Sequence, residues 1–344
     1  MNVLRRLAVR AQQQAYRFLL HNPDLREELF ATSYVVSQPV LAAARGAAFA
    51  YCLAVLATNL AVNVAHGAGW SWPAYFTTLT FIGIAMYYGV ATCVTVRYMR
   101  ARWARAAGRQ QAHASILRPV AQSEVLVADA ASATAEQHHH LSTDKPRLSE
   151  DNIEIAEEQA LAVAAADVAE PAAAVAPSVG LQVLLATQWL LYESFTCFAP
   201  LVSLVYWALL FPTQPGALAS AVDLWTGISM HALNCVLMAL EVAVLARIPY
   251  RWTHLPAVTL FMGLYLGLAY FMVGVYDFYV YPFFDPRYFG GYIAVMCLFV
   301  TDIVAITWVL MLMVHRLRDG MYPRWAALRQ QQQQQQPQPI ASAA

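Results

Sequence analysis

The feature that most constrains this chain is a long stretch without charge. From Gly46 through Val96 the sequence contains no Asp, Glu, Lys or Arg. An apolar helix of about 20 residues crosses the hydrocarbon of a bilayer. Because lipid cannot satisfy loose backbone groups, such segments must be helices or closed barrels. Continuous apolar runs of this length favour helices over barrel strands, which alternate and span about 10 residues. The sequence therefore predicts an all-α, polytopic membrane helix bundle.

Similar runs recur in the second half of the chain. Of the 344 residues, 59% are hydrophobic and 12% are charged, whereas an ordinary soluble domain has about 25% charged residues. We expect six transmembrane helices, called spans 1 to 6, at about 46–66, 72–96, 184–211, 221–246, 254–276 and 290–315.

The cations indicate the orientation of the bundle. Lys and Arg number six before span 1, eight between spans 2 and 3, two between spans 4 and 5, and four after span 6. The other three loops, between spans 1 and 2, 3 and 4, and 5 and 6, contain only Arg287. Because cytosolic loops carry the excess of Lys and Arg, both termini are predicted to be cytosolic. The opposite face is called the outer face below.

The polar parts divide the chain further. Residues 1–45 are predicted to be a cytosolic amphipathic segment, either a cationic helix on a membrane surface or an Arg-rich mitochondrial transit peptide. Residues 46–96 hold spans 1 and 2, and residues 97–180 form a long cytosolic insert. The insert is predicted to be disordered, with one weak helix near 149–169. Residues 181–315 hold spans 3 to 6, and the Gln-rich residues 316–344 form a disordered tail.

Few cofactors or partners are indicated. The net charge of zero gives no basic excess for nucleic acid. The five cysteines lack CxxC spacing, so we expect no metal site or disulfide, and His138–His140 have no spaced partner ligands. No phosphate-binding glycine loop or hydrolase elbow occurs. We therefore predict no cofactor, and membrane lipid as the main partner; protein partners are undefined.

Polar residues inside spans are the candidates for function, because they are expensive to bury in a membrane. At about 100° per residue, His231, Asn234 and Glu241 share one face of span 4. Either they join helices by hydrogen bonds, or His231 is a general base. The threonines of span 2 either bond their own backbone, or one of them is a nucleophile with a base beside it. The remaining candidates are the threonines Thr77, Thr78 and Thr80 and the acids Glu193 and Asp302.

The segment 276–289, which connects spans 5 and 6, is rich in aromatic side chains, with eight in fourteen residues. This composition suits an interfacial belt and a lipid-facing mouth equally well.

Several segments resemble the Rolling stone family. They are Gln188–Tyr192, Val205–Leu210, His231–Glu241, His254–Pro256 and Tyr279–Asp285. That family is related to the androgen-induced membrane hydrolases, which cleave fatty acid esters of hydroxy fatty acids. Those enzymes use an intramembrane threonine nucleophile, and a histidine that an acid follows ten residues later. Tyr75–Thr77 with Tyr87–Gly89 is similar to their threonine segment.

The resemblance implies that Thr77 attacks an ester carbonyl while His231 takes its proton. Supporting roles would fall to Asn234, Glu241 and Glu193. The first hypothesis is thus an intramembrane hydrolase of fatty acyl esters. Two alternatives stay open: a non-catalytic scaffold or fusion-related protein that binds partners through its insert and tails, and a secondary transporter using buried acids. The expected compartment is the endoplasmic reticulum or plasma membrane, with a mitochondrial membrane as the alternative.

Overall fold

The computed structural model describes residues 25–137, 178–213 and 218–335. Within these residues the chain forms helices and turns and no strand. Six helices are long and apolar enough to cross a membrane, as the sequence predicts. Their bounds are Gln38–Ala65, Phe76–Gln111, Val179–Thr213, Ala221–Leu245, Trp252–Tyr276 and Gly290–Pro323. The chain is therefore a multi-pass integral membrane protein.

Three boundaries differ from the predicted ones by eight residues or more. Span 1 begins at Gln38, eight residues before the predicted start at 46, and Arg45 lies buried inside it. The charge of Arg45 is matched by Glu241 at an Nη2–Oε1 distance of 2.5 Å, so the helix tolerates an arginine that a hydropathy argument excludes.

The other two differences are the ends of spans 2 and 6. The helix of span 2 continues to Gln137, and that of span 6 continues to Gln335. Within the described residues the insert and the tail thus begin as continuations of spans 2 and 6. Ala, Arg and Gln, which are abundant in both extensions, are good helix formers, so a helix already nucleated in the membrane can continue through them. The helix predicted near 149–169 lies outside the described residues.

The helices divide by their contacts into two units, residues 1–100 with 179–344 and residues 101–178. In the first unit span 3 occupies the centre and packs on spans 4, 5 and 6. A short helix, Glu27–Ala31, packs on span 3 as well, with Phe30 fully buried. In the second unit the described residues 101–137 continue the helix of span 2.

Spans 3 and 4 are not regular α-helices throughout. Span 3 widens to a π-turn at Tyr206–Leu210, and span 4 does so at Ser229–Leu233 and Glu241–Leu245. Span 4 is α-helical over Ala221–Ile228 and Asn234–Leu240. A π-turn rotates the following residues away from the 100° step assumed for an α-helix. The turns that hold Tyr206 and His231 both lie toward the outer face.

The outer end of the first unit has its own aromatic core. Residues of spans 3 and 5 pack there against the loop between spans 5 and 6. That loop contains the short helical turns Pro282–Phe284 and Pro286–Phe289. The members of this core include Tyr206, Tyr265, Tyr281, Phe283 and Phe284. The aromatic segment 276–289 noted in the sequence thus packs largely against the helices of the bundle.

A close contact between spans 2 and 3 gives a first testable prediction. A Cβ atom added at Gly83 would lie 1.7 Å from Cζ of Phe195. Gly83→Ala should therefore destabilise the fold by about 1–3 kcal/mol, because the ring must move within a packed core. Thermal unfolding in detergent measures the effect. Gly274→Ala is the matched control, since its added methyl meets nothing within 4 Å. Equal unfolding temperatures for the two variants would contradict the predicted clash.

Candidate functional site

Two cavities adjoin each other: one lies at the outer end of the bundle, and the other extends from there along span 5 to Leu255, near the start of that span. The first, the polar cavity, has about 410 Å³ and is lined by side chains of spans 1 to 4 and of the loop between spans 5 and 6. The second, the apolar cavity, has about 290 Å³ and lies among spans 2, 3, 5 and 6. Four residues line both: Thr77, Tyr206, Leu210 and Tyr281. Because they are shared, these residues mark the junction of the cavities.

The three candidate threonines of span 2 differ in position. Thr77 lines both cavities, and Thr78 lines the polar cavity alone. Thr80 lines neither of these two cavities and is buried, with a hydroxyl that finds no hydrogen-bond partner among the described residues. The geometry therefore favours Thr77 among the three as a group that can meet a molecule extending through both cavities.

Tyr281 holds the beginning of span 2 in place. Its hydroxyl accepts a hydrogen bond from the backbone N–H of Phe76 at 3.1 Å. Burial raises the pKa of Tyr281, and the hydrogen bond from the N–H of Phe76 partly offsets this rise. The phenol therefore stays protonated at neutral pH and can donate a hydrogen bond at the cavity junction.

His231 lines the polar cavity in a defined tautomer. Its Nδ1 lies 2.9 Å from the carbonyl oxygen of Gly227. A carbonyl oxygen only accepts, so Nδ1 carries the proton and Nε2 of the neutral ring keeps its lone pair. The imidazole also stacks on the ring of Tyr206, with centroids 3.5 Å apart. Both contacts fix the plane of the ring, so Nε2 has a defined direction.

The polar cavity brings two of the sequence candidates to one lining. Thr77 and His231 were both predicted as catalytic, and they line the same cavity. Among the described hydrogen bonds none joins the two side chains directly. The histidine is oriented by a backbone carbonyl, where a serine hydrolase triad uses a carboxylate.

The predicted supporting residues lie elsewhere. Asn234 is buried and accepts hydrogen bonds from the hydroxyl of Ser203 at 3.2 Å and the N–H of Cys235 at 2.6 Å. Neither Glu241 nor Glu193 lines either of the two cavities. The geometry thus brings Thr77 and His231 together, and leaves the three proposed supporting side chains outside that cavity.

Glu241 belongs to a separate buried cluster, the Arg45 cluster. One carboxylate oxygen accepts from Nε and Nη2 of Arg45 and from the hydroxyl of Tyr87, the last at 2.7 Å. Nη1 of Arg45 also donates to the carbonyl of Phe30 and to the hydroxyl of Thr95, both at 2.8 Å. This cluster joins span 4 to spans 1 and 2 and to the short helix before them.

Glu193 and Asp302 complete the set of predicted acids. Glu193 is buried and accepts hydrogen bonds from His254 Nδ1, from Trp189 Nε1 and from the backbone N–H of Arg251. Asp302 lies on the exposed surface of span 6. The acids considered for a transporter therefore occupy three separate surroundings and do not line one path.

Metal ligands are not clustered in the part of the chain that the structure describes. There, no group of three or more His, Cys, Asp or Glu residues could hold a metal ion. The cysteines of these ranges are free thiols, and His138–His140 lie outside the described residues.

Several lining residues were missed by sequence reasoning. Asn59, Asn63, Trp72 and Asp223 line the polar cavity, and Tyr206 covers one face of His231. Tyr206 lies in a segment already noted for its family resemblance. For the other four the available signal was position alone, since each lies near an outer helix end, where polar and aromatic residues are common.

Comparison with known proteins supports the predicted relationship. Residues 163–319 match the model of the family described as FAR-17a/AIG1-like protein, where AIG1 stands for androgen-induced gene 1. His231 lies inside the matched residues and Thr77 lies outside them. No match was found among the curated proteins or among the solved structures. The predicted relationship to the androgen-induced proteins is thus confirmed, while the Rolling stone name is not. The chain is a multi-pass membrane protein that is similar to the FAR-17a/AIG1-like family over residues 163–319.

Proposed function

We propose that this protein is an intramembrane hydrolase of fatty acyl esters, with Thr77 as nucleophile and His231 as general base. The observation that carries the proposal is that both side chains line one polar cavity, and that Thr77 also lines the adjoining apolar cavity. An ester with its carbonyl at the junction would extend its acyl chain into the apolar cavity and its alcohol part into the polar one.

The proposed reaction has two halves. Nε2 of His231 takes the proton of Thr77 as Oγ1 bonds to the ester carbonyl carbon, and the carbon–oxygen bond to the alcohol then breaks. The imidazolium returns that proton to the leaving alkoxide. Water, deprotonated by the same nitrogen, adds to the acyl carbon; the bond from that carbon to Oγ1 of Thr77 breaks, the imidazolium returns the proton to Oγ1, and the fatty acid leaves. The phenol of Tyr281 is a suitable donor for the carbonyl oxygen as it gains charge, because burial keeps the phenol protonated.

Access from lipid is supported by small residues on two neighbouring helices. Thr259 and Gly263 of span 5 and Thr301 and Ala305 of span 6 line the apolar cavity, and all four are exposed at the surface of the bundle. Small side chains on facing helices leave a gap through which an acyl chain can pass. An acyl ester would therefore reach the site sideways from the bilayer.

A fluorophosphonate probe tests the assignment of nucleophile and base. We expect the full-length protein in detergent to be labelled, with labelling lost in Thr77→Ala and reduced by about 10²-fold or more in His231→Ala, as general base contributions require. Gel fluorescence of the purified protein measures it.

Two threonine variants serve as matched controls. Thr78→Ala and Thr80→Ala remove the same hydroxyl one and three residues along the helix, and both should keep labelling. Labelling that survives both Thr77→Ala and His231→Ala would refute the proposal. Loss of labelling in Thr78→Ala alone would assign the nucleophile to Thr78 instead.

We also propose that the protein resides in the endoplasmic reticulum or plasma membrane. Fractionation of cells that express a tagged chain distinguishes these membranes from mitochondria. Recovery in mitochondria alone would favour the transit-peptide interpretation of the first residues.

A further inference from the structure

The general base of the proposed hydrolase lacks the carboxylate partner that a serine hydrolase triad provides. Among the described hydrogen bonds and ion pairs none joins His231 to an acid, and its Nδ1 lies against the carbonyl oxygen of Gly227. Glu241, ten residues further along the chain, is held by Arg45. In a triad the carboxylate stabilises the imidazolium that forms when the histidine takes a proton. A different group has to do so here if His231 is to act as a base.

Asp223 is the one acid that lines the polar cavity together with His231. It lies eight residues before His231 in the sequence, which corresponds to about 12 Å along a helix axis. It is half-buried at the outer end of span 4 and accepts a hydrogen bond from the hydroxyl of Ser220 at 2.7 Å. Because salt screens exposed charges that are more than about 8 Å apart, Asp223 cannot replace the acid of a triad.

Tyr206 covers one face of the imidazole of His231. The two ring centroids are 3.5 Å apart and the ring planes differ by 15°. Tyr206 is only 7% exposed, so the contact lies away from bulk water. The face of an aromatic ring is negative, and a cation within about 6 Å of the centroid is attracted to it. A neutral imidazole gains only the packing contact from this stack, whereas an imidazolium gains the cation–π attraction as well.

Two π-turns hold this contact in place. Tyr206 begins the π-turn of span 3, and His231 lies in a π-turn of span 4. Trp207, the next residue of the span 3 turn, donates from Nε1 to the carbonyl oxygen of His231 at 3.0 Å. Its ring also meets that of Tyr206 edge-on, with centroids 5.0 Å apart. His231 is thus held at its backbone, at Nδ1 and at one ring face, while Nε2 has no partner among the described residues.

We propose that Tyr206 stabilises the imidazolium of His231 by a cation–π interaction, and so replaces the carboxylate of a triad. The positive charge forms when Nε2 takes the proton of Thr77 and is lost when that proton passes to the leaving alkoxide. The attraction therefore lowers the energy of the transition states and of the intermediate, and not that of the bound substrate. Because its effect passes through His231, Tyr206 is a positioning residue. This inference rests on the proposed hydrolase function.

Two substitutions at position 206 test the need for an aromatic ring. Tyr206→Phe keeps the ring, and its kcat for the fluorogenic ester 4-methylumbelliferyl palmitate should stay within about twofold of the native value. Tyr206→Leu removes the ring and should lower kcat by about tenfold. In both variants KM should change by about twofold or less, because the histidine is neutral when substrate binds. Unfolding temperatures in detergent show whether each variant is folded.

Ring fluorination separates the cation–π effect from packing, because fluorine withdraws electrons from the ring face and changes the shape of the ring little. Phenylalanine with one, two or three ring fluorines, introduced at position 206, should lower kcat stepwise below that of Tyr206→Phe, by about fivefold at the end of the series. Phe211 is the matched control. Its ring lies 5.0 Å from that of Trp207, and it lines neither cavity. The same fluorinated residues at position 211 should leave kcat unchanged.

The possible outcomes distinguish failure of this inference from failure of the hydrolase assignment. An active native protein whose kcat is the same throughout the fluorinated series would show that Tyr206 only packs on His231, and the hydrolase would stand. A loss in Tyr206→Phe as large as that in Tyr206→Leu would assign the effect to the phenol hydroxyl and overturn the cation–π interaction. A native protein that neither cleaves the ester nor takes up the fluorophosphonate would refute the hydrolase, and the proposed action of Tyr206 with it.

Discussion

Replacing Glu241 by Ala is expected to destabilise the protein by about 3–5 kcal/mol, because it leaves the charge of Arg45 buried without its partner. Both side chains have no solvent exposure, and Glu241 accepts three hydrogen bonds through one oxygen. Arg45→Ala should cost a similar amount, because it strands the carboxylate and leaves the carbonyl of Phe30 without this donor. The free energy of unfolding in mixed detergent micelles measures both effects.

Two comparisons separate this effect from a general sensitivity to mutation. Glu27→Ala removes an ion pair with Arg97 whose side chains are 21% and 49% exposed, and it should cost about 1 kcal/mol or less. The double variant Arg45→Met with Glu241→Met removes both charges together. It should be less destabilised than the sum of the single changes, since buried pairs are often replaceable by apolar residues. Additive effects would show that the two charges do not stabilise each other.

The Arg45 cluster shows where sequence reasoning reached its limit. The apolar runs and the uneven distribution of cations were sufficient to predict six spans, and the outer ends of spans 4, 5 and 6 were placed within two residues. Arg45 was counted with the cytosolic cations because span 1 was placed on the charge-free run that begins at Gly46. The partner that neutralises it is 196 residues away in the sequence, and no local pattern indicates such a pair.

Only part of the candidate site could be predicted, and the reason is similar. His231 and Thr77 were identified from their residue types and their family resemblance, and both line the polar cavity. Glu241 was joined to His231 by assuming one straight α-helix. Between them the chain passes through the π-turn Ser229–Leu233 and a second, α-helical segment, and Glu241 is held by Arg45. A helical period predicts which side chains share a face, whereas the partners on neighbouring helices decide which of them share a site.

Replacing Gly263 by Phe is expected to slow cleavage of long-chain esters by at least about tenfold, which corresponds to about 1.4 kcal/mol in the activation free energy. Gly263 lines the apolar cavity and is exposed to lipid. A Cβ added there meets no atom within 4 Å, so the ring can be accommodated without disturbing the fold. It would instead fill the space beside Thr301 and Ala305 that we propose as the path of the acyl chain.

Chain length and a neighbouring glycine make this test specific. Gly267 lies one turn further along span 5, is exposed, has equally open space and does not line the apolar cavity. Gly267→Phe should therefore keep the rate of the native protein. An acetate ester of the same alcohol needs no space in the apolar cavity, so Gly263→Phe should cleave it at the native rate. If Gly263→Phe slowed both esters equally, the ring would be disturbing Thr77 or His231 instead of the path of the acyl chain. If it slowed neither, substrate would not pass between spans 5 and 6, and the polar cavity would be the route by which esters arrive.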